Sequence, residues 1–106
     1  MKQPTLEDID RARLNLETAQ IAWREMQRFF ASGVAIAVSA DLDLVEVAYQ
    51  ISQDNAAQVS TWLESGQIAR VSDEQALAWH EADALVWAVV ARPYVLVQAS
   101  KSKSVN

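Results

Sequence analysis

Three polar side chains of the stretch "NAAQVSTWLESG", Gln58, Ser60 and Thr61, are of the types that contact bases and phosphates when a helix lies in the major groove of DNA. A second helical pattern precedes this stretch, and Asp54-Asn55 separates the two as in a helix-turn-helix. Affinity for DNA depends largely on Lys and Arg at phosphates, and residues 43–66 contain neither. The sequence therefore predicts two packed helices here, and nucleic-acid binding is an alternative.

His80 is the single histidine, and histidine is the side chain that most readily serves as a general acid or base near neutral pH. Catalysis also needs a cleft and a second group at hydrogen-bonding distance. Glu81 is not automatically that group, because adjacent positions of a helix point in different directions. We therefore expect a partly exposed helical histidine and no catalytic residue.

Three carboxylates in "DLDLVE", Asp41, Asp43 and Glu46, supply the oxygen atoms that magnesium and calcium prefer. The stretch lacks the glycine and the ligand spacing of a calcium-binding loop. Asp43 and Glu46 have instead the spacing of a capping box at a helix start. We therefore expect helix capping and no metal ligand. With only two glycines there is no phosphate-binding loop, so no cofactor is predicted.

The four tryptophans could line a pocket for a planar or apolar ligand. Tryptophan at an inward helical position belongs more often to the core, so a tryptophan-lined pocket is an alternative. Arg70 is the only Lys or Arg between residues 31 and 84. The side chains that remain as candidates for a binding surface are Gln58, Thr61, Trp62, Arg70, Trp79 and His80.

The length of 106 residues fits one domain, which we place at residues 1–99, followed by a disordered polar tail at 100–106. The absence of cysteine fits the cytoplasm. The first twenty residues lack the apolar core of a signal peptide, and the longest uncharged run, 29–40, is shorter than the roughly 20 residues of a membrane span. We therefore expect a cytoplasmic protein that does not contact a membrane.

Charge is spread unevenly along the chain, whose net charge is −5. Residues 31–84 contain nine acids and one base, whereas residues 1–30 are balanced and residues 85–106 are basic. The middle of the protein is therefore expected to present an acidic surface, which disfavours nucleic acid as a partner.

The first elements are predicted from apolar spacing and cap residues. Thr5 can cap a helix whose apolar residues recur at steps of three and four as far as Phe30, divided in two near Asn15 or Thr18 and ended by Gly33. "VAIAV" at 34–38 predicts a buried strand. Two helices follow, at about 43–53 and 56–65.

The remaining elements are a strand at "QIARV", a helix at about 73–83 that Ser72 caps, and two strands at "LVWAVVA" and "YVLVQA". Pro93 separates the last two, and proline belongs at a turn or an edge. The order of these predicted helices and strands indicates a helix-rich α+β domain with a small, mainly antiparallel sheet and a winged-helix-like chain order. A different two-layer α/β sandwich is the alternative.

Four segments of the sequence resemble a family of small uncharacterised bacterial proteins, known only as a domain of unknown function. The segments are "LNLETAQIAWREMQRFFASG", "LDLVEVA", "VSDEQALAW" and "LVWAVVARPYVLVQ". The resemblance spans about residues 11–98. It implies a cytoplasmic bacterial protein with no assigned activity, and it assigns no functional residues.

These observations favour a non-catalytic protein–protein interaction module with an acidic surface. The strand "YVLVQA" is expected at a sheet edge, where it could pair with a partner chain or with a second copy in a homodimer. The alternatives are a winged-helix-like nucleic-acid-binding protein and a small-molecule-binding protein or enzyme with a tryptophan-lined pocket.

Overall fold

The computed structural model describes residues 3–100, which form an α+β fold of five α-helices and one five-stranded sheet. The helices are α1 (Leu6–Glu17), α2 (Gln27–Ala31), α3 (Leu44–Ser52), α4 (Ala56–Ser65) and α5 (Asp73–Glu81). The strands are β1 (Ala19–Ala22), β2 (Ala35–Val38), β3 (Ile68–Arg70), β4 (Leu85–Ala91) and β5 (Tyr94–Ala99), and a 3-10 turn covers Trp23–Met26. The predicted fold class is confirmed. Of the predicted polar tail, residues 101–106 lie outside the described residues.

The sheet has the strand order β1-β4-β5-β2-β3. Only β2 and β5 are parallel, so the prediction of a mainly antiparallel sheet is confirmed. The expectation that "YVLVQA" lies at an edge is wrong, because β5 is the central strand. Pro93 lies in the tight turn between β4 and β5, where its missing N–H removes no ladder hydrogen bond. The winged-helix-like chain order stays a prediction.

The predicted helix through Phe30 is interrupted, because Ala19–Ala22 form an edge strand paired with β4. Thr18 turns the chain into extended conformation while its hydroxyl donates to the carbonyl of Leu14 at 2.8 Å. The predicted apolar stripe is correct at Trp23 and Met26, which are buried, and wrong within α1. Leu14 is the buried residue of α1, whereas Leu16 is 84% exposed. Strand pairing outweighs the helical spacing of this segment.

Two apolar clusters lie on opposite faces of the sheet. Leu96 of β5 is fully buried among side chains of α1, α3 and α4, whereas Val95 and Val97 point to the other face, toward Trp23 and α5. This division follows from the alternation of side chains along a strand. None of the helices within residues 3–100 is long and apolar enough to cross a membrane.

Candidate binding groove

A groove of about 430 Å³ lies between α4, the α3–α4 turn and the β2–β3 end of the sheet. Its walls are mostly apolar and are formed by Ile36, Ile51, Ala56, Val59, Leu63 and Ile68. Its polar lining consists of Asp54, Asn55, Ser60, Arg70 and Tyr94. Leu63 is 53% exposed and Tyr94 is 39% exposed, so the groove is open to solvent along one side. It is a surface site and not an enclosed cavity.

The α3–α4 turn and the end of α4 determine the shape of this groove. Asp54 has a φ of 58°, in the left-handed region that Asp tolerates better than most residues, and reverses the chain after α3. Asn55 then caps α4 by accepting from the N–H of Gln58 at 3.3 Å. Gly66, with a φ of 78°, ends α4 and returns the chain to β3. The turn therefore places α4 and β3 on two sides of one groove.

Arg70 is the only base in the groove lining and is exposed on β3. A Cβ atom added at Gly33 would lie 3.8 Å from its Cζ and Nη1 atoms, so the guanidinium lies over the backbone of Gly33. None of the ion pairs formed within residues 3–100 includes Arg70. The hydrogen-bonding positions of its guanidinium are therefore open to a carboxylate.

A chain of polar contacts holds α1, α3 and the start of α4 together. Arg11 of α1 donates from Nε to Glu46 at 2.7 Å and from Nη2 to its second carboxylate oxygen at 3.1 Å. Gln50 donates to Glu46 at 2.6 Å and accepts from Asn55 at 2.7 Å. The guanidinium of Arg11 also lies 4.2 Å from the ring centroid of Tyr49. The cap of α4, and with it one wall of the groove, is thereby tied to α1.

This network corrects one sequence interpretation. Asp43 caps α3 by accepting from the N–H groups of Val45 and Glu46, as predicted. The carboxylate of Glu46 does not complete a capping box, because it faces Arg11. Asp41, Asp43 and Glu46 do not converge, and within residues 3–100 no group of three His, Asp or Glu side chains is arranged to hold a metal ion.

The hydrogen bonds from Arg11 hold the pKa of Glu46 below its usual value. A depressed carboxyl pKa contributes stability that is complete above the unfolded-state pKa and is lost as the pH falls through the folded-state pKa. We therefore expect Glu46→Gln to lower the free energy of unfolding at neutral pH, and the difference from wild type to disappear in acid. Because Glu46 is 36% exposed and solvent weakens the pair, the loss should be about 1 kcal/mol or less.

Urea unfolding of both proteins between neutral and acidic pH measures this difference. The matched control is Glu17→Gln, since the pair of Glu17 with Arg13 is longer, at 3.5 Å, and more exposed. A gap between wild type and Glu46→Gln that stays constant down to strongly acidic pH would contradict a role for the Arg11 pair.

The structure does not bring the six predicted surface residues together. Arg70 alone lines the groove. Gln58 is half-buried, and the exposed Thr61 donates its hydroxyl to the carbonyl of Ala57 at 3.1 Å. Trp62 is buried in the core. The remaining two, Trp79 and His80, belong to α5 on the other face of the sheet, where His80 is exposed.

The four tryptophans lie apart from one another except for one pair. Trp23 and Trp79 are in contact, with ring centroids 4.9 Å apart. Trp62 lies in the cluster on the opposite face of the sheet, and Trp87 is 39% exposed on β4. Of two further surface cavities, only the one of about 270 Å³ beside the β2–β3 edge has a tryptophan, Trp79, in its lining. The tryptophans therefore do not form one pocket within the described residues.

Sequence reasoning missed most of the groove. The groove is lined by Tyr94, Val59 and Leu63, among others. Their sequence patterns predict a strand and a helix but do not indicate that these side chains border an open surface. The one relevant signal in the sequence is Asp54, which lies between two helical patterns and marks a turn there. That signal gives the position of a turn but not the depth of a groove.

Two comparisons with known proteins found a match to this chain. A family model described as a protein of unknown function, DUF2288, matches residues 10–99. The NMR solution structure of PA1075 from Pseudomonas aeruginosa is similar to this chain with a TM-score of 0.78 and 39% sequence identity, over 100% of this chain and 96% of that chain. A search of curated proteins found no match. The sequence resemblance to a bacterial family without assigned activity is thus confirmed, and the chain belongs to the DUF2288 family of proteins of unknown function.

Proposed function

We propose that this protein is a non-catalytic interaction module that binds an apolar segment of a partner protein in the groove beside α4. The open side of the groove supports a protein partner over a small molecule, because small-molecule sites enclose most of the ligand surface. Leu63 and Tyr94 would remain largely in contact with water around a small ligand, whereas a partner surface covers them. Apolar anchors that fill such grooves supply most of the energy of an interface.

The observation that carries this proposal is the pair of opposite charges in a mostly apolar groove. Arg70 lies on β3 and Asp54 in the α3–α4 turn, and neither forms an ion pair within residues 3–100. A segment with an apolar residue between an acid and a base would satisfy both charges. Because the two charges belong to different elements, they would also determine the direction in which the segment binds.

The acids of residues 31–84 add a longer-range effect to this proposal. All of them except the paired Glu46 are exposed, and they are Asp41, Asp43, Asp54, Glu64, Asp73, Glu74, Glu81 and Asp83. Four of these acids lie on or beside α5, across the sheet from the groove, so the acids act through net negative charge and not as one continuous face. Net negative charge accelerates association with a partner that is basic around its apolar anchor, and added salt reduces the acceleration. We infer that the partner is basic overall and has one acid placed for Arg70.

Selection from a phage-displayed library of random peptides tests the groove. We expect enriched peptides to share an apolar residue flanked by a base and an acid. Leu63→Ser should weaken binding of an enriched peptide at least about tenfold, which corresponds to about 1.4 kcal/mol. The matched control is Leu77→Ser, since Leu77 is 57% exposed on α5, away from the groove.

Two further variants test the charges one at a time. Arg70→Gln should remove the preference for the acid in the selected peptides, and Asp54→Asn, which suits the left-handed turn, should remove the preference for the base. The proposal fails if no peptide is enriched, or if Leu77→Ser weakens binding as much as Leu63→Ser does.

A further inference from the structure

β1 lies at one edge of the sheet and has β4 as its single neighbouring strand within the described residues. β1 and β4 pair in a register that extends to Trp23, whose N–H donates to the carbonyl of Ala84 at 2.9 Å. Because residues of an antiparallel strand alternate in direction, Ile21 and Ala19 also bond toward β4. The N–H and C=O groups of Gln20 and Ala22 therefore point away from the sheet.

The composition of β1 does not protect this edge. Natural edge strands avoid association through charged residues, proline, bulges or very short length. Residues 19–22 are Ala, Gln, Ile and Ala, without charge, proline or glycine. The opposite edge, β3, has three residues, and one of its outward-facing positions is the charged Arg70. Both edge strands are short, with four residues in β1 and three in β3, and of the two only β1 is free of charge.

We propose that β1 is the interface of a homodimer, in which the strands of two copies pair antiparallel and join two five-stranded sheets into one. A twofold axis perpendicular to the sheet that passes beside Ile21 sets this residue opposite its own copy. Gln20 of each copy then exchanges both backbone hydrogen bonds with Ala22 of the other copy. The half-buried Ile21 side chains meet as an apolar cross-strand pair.

Charge at the two ends of β1 favours a second copy in this orientation. The nearest charged residues are Glu17 before the strand and the exposed Arg24 and Glu25 after it. Antiparallel pairing brings Glu17 of each copy toward Arg24 and Glu25 of the other, so attraction and repulsion are mixed. Parallel pairing would set every one of these residues beside its own copy, where all the charges are alike. Glu17 and Arg24 have local partners, Arg13 at 3.5 Å and Asp83 at 3.2 Å, but each is at least half exposed and can reach a further one.

Exposed apolar side chains beside the edge support an interface here. In the β1–β4 register Gln20 lies beside Trp87, and Ala22 lies beside Leu85. Trp87 is 39% exposed and Leu85 is 50% exposed, although both face the same side of the sheet as the buried Val89. In the dimer, the corresponding residues of both copies form one continuous surface across the joined strands. This inference is independent of the groove beside α4.

Sedimentation equilibrium of the full chain, from low micromolar to millimolar concentration, tests the dimer. We expect the mass to rise from one copy to two. Gln20→Lys, which places two like charges beside the axis, should raise the dissociation constant at least about tenfold. Ala69→Lys, which adds the same charge to the exposed side of β3, should leave the constant unchanged.

A second pair of variants distinguishes the contribution of the Gln20 backbone N–H to the dimer from that of the Gln20 side chain. Gln20→Pro removes an N–H that points away from β4, so it should abolish the dimer while circular dichroism shows the fold intact. Gln20→Ala keeps that N–H and loses only the 2.6 Å contact with Ser100, so it should still dimerise. A single-copy mass at millimolar concentration, or a dimer that persists in both Gln20→Lys and Gln20→Pro, would overturn the proposal.

Discussion

Replacing Trp23 by alanine is expected to lower the free energy of unfolding by about 3–5 kcal/mol. Trp23 is fully buried and packs edge-on against Phe30, with ring centroids 5.9 Å apart, and against Trp79 at 4.9 Å. Removal of the indole leaves a cavity in the cluster between the sheet and α5, and neighbouring side chains close such cavities only in part. Urea unfolding followed by circular dichroism measures the loss.

A smaller substitution at the same position gives a sharper test. The indole N–H of Trp23 is buried and has no hydrogen-bond partner among the described residues. A buried donor without a partner costs about 1–3 kcal/mol, so Trp23→Phe removes this penalty while it loses volume. We expect Trp23→Phe to be far less destabilising than Trp23→Ala. Equal losses for the two variants would contradict this expectation, since Phe both removes the unpartnered N–H and fills more of the cavity than Ala does.

The second large effect is expected at Gln98 on β5. Its side-chain amide donates to the carbonyls of Ser39 and Leu42, each at 2.8 Å, and so holds the loop between β2 and α3 against the sheet. Gln98→Glu replaces the donor by a carboxylate that faces two carbonyl oxygens. We expect a loss of about 2–4 kcal/mol at neutral pH, because two half-buried acceptors lose their donor and a charge is placed beside them.

The pH dependence of this variant identifies the cause. Facing carbonyl oxygens raises the pKa of a carboxyl group, and the protonated form can again donate to one of them. The instability of Gln98→Glu relative to wild type should therefore decrease as the pH falls through that raised pKa. The control is Gln27→Glu, since Gln27 is exposed and donates a single bond of 3.1 Å to Trp23. Equal losses at both positions would contradict the assigned role of Gln98.

The sequence predicts those elements whose cap residues and side-chain period agree. Thr5, Asp43, Asn55 and Ser72 each cap the helix that was predicted after them, and "LVWAVVA" and "YVLVQA" are strands. Residues 19–22 could not be predicted, because their extended conformation depends on pairing with β4, more than sixty residues later in the chain. The spacing of apolar residues within this segment carries no information about the strand with which it pairs.

Of the residues that line the candidate site, the sequence predicts a surface position for two, Ser60 and Arg70. Arg70 stands out in the sequence as the single base of an acidic segment, and the structure places it in the groove. The rest of the lining depends on how α4 packs on the sheet, which the helical period alone does not determine. Residue type alone does not indicate which side chains of α4 lie at the surface. Trp62 is adjacent to the exposed Leu63 and yet is buried in the core.

The central position of β5 has a consequence for the order in which the fold forms. β1 and β4 make one pair of strands, β2 and β3 make another, and the two pairs are joined only through β5. Within residues 3–100, β5 follows the other four strands in the sequence, and it contributes buried residues to both apolar clusters, so neither cluster is complete without Tyr94–Ala99. We therefore expect both faces of the core to be completed late in folding, because contacts between strands that are far apart in the sequence form slowly.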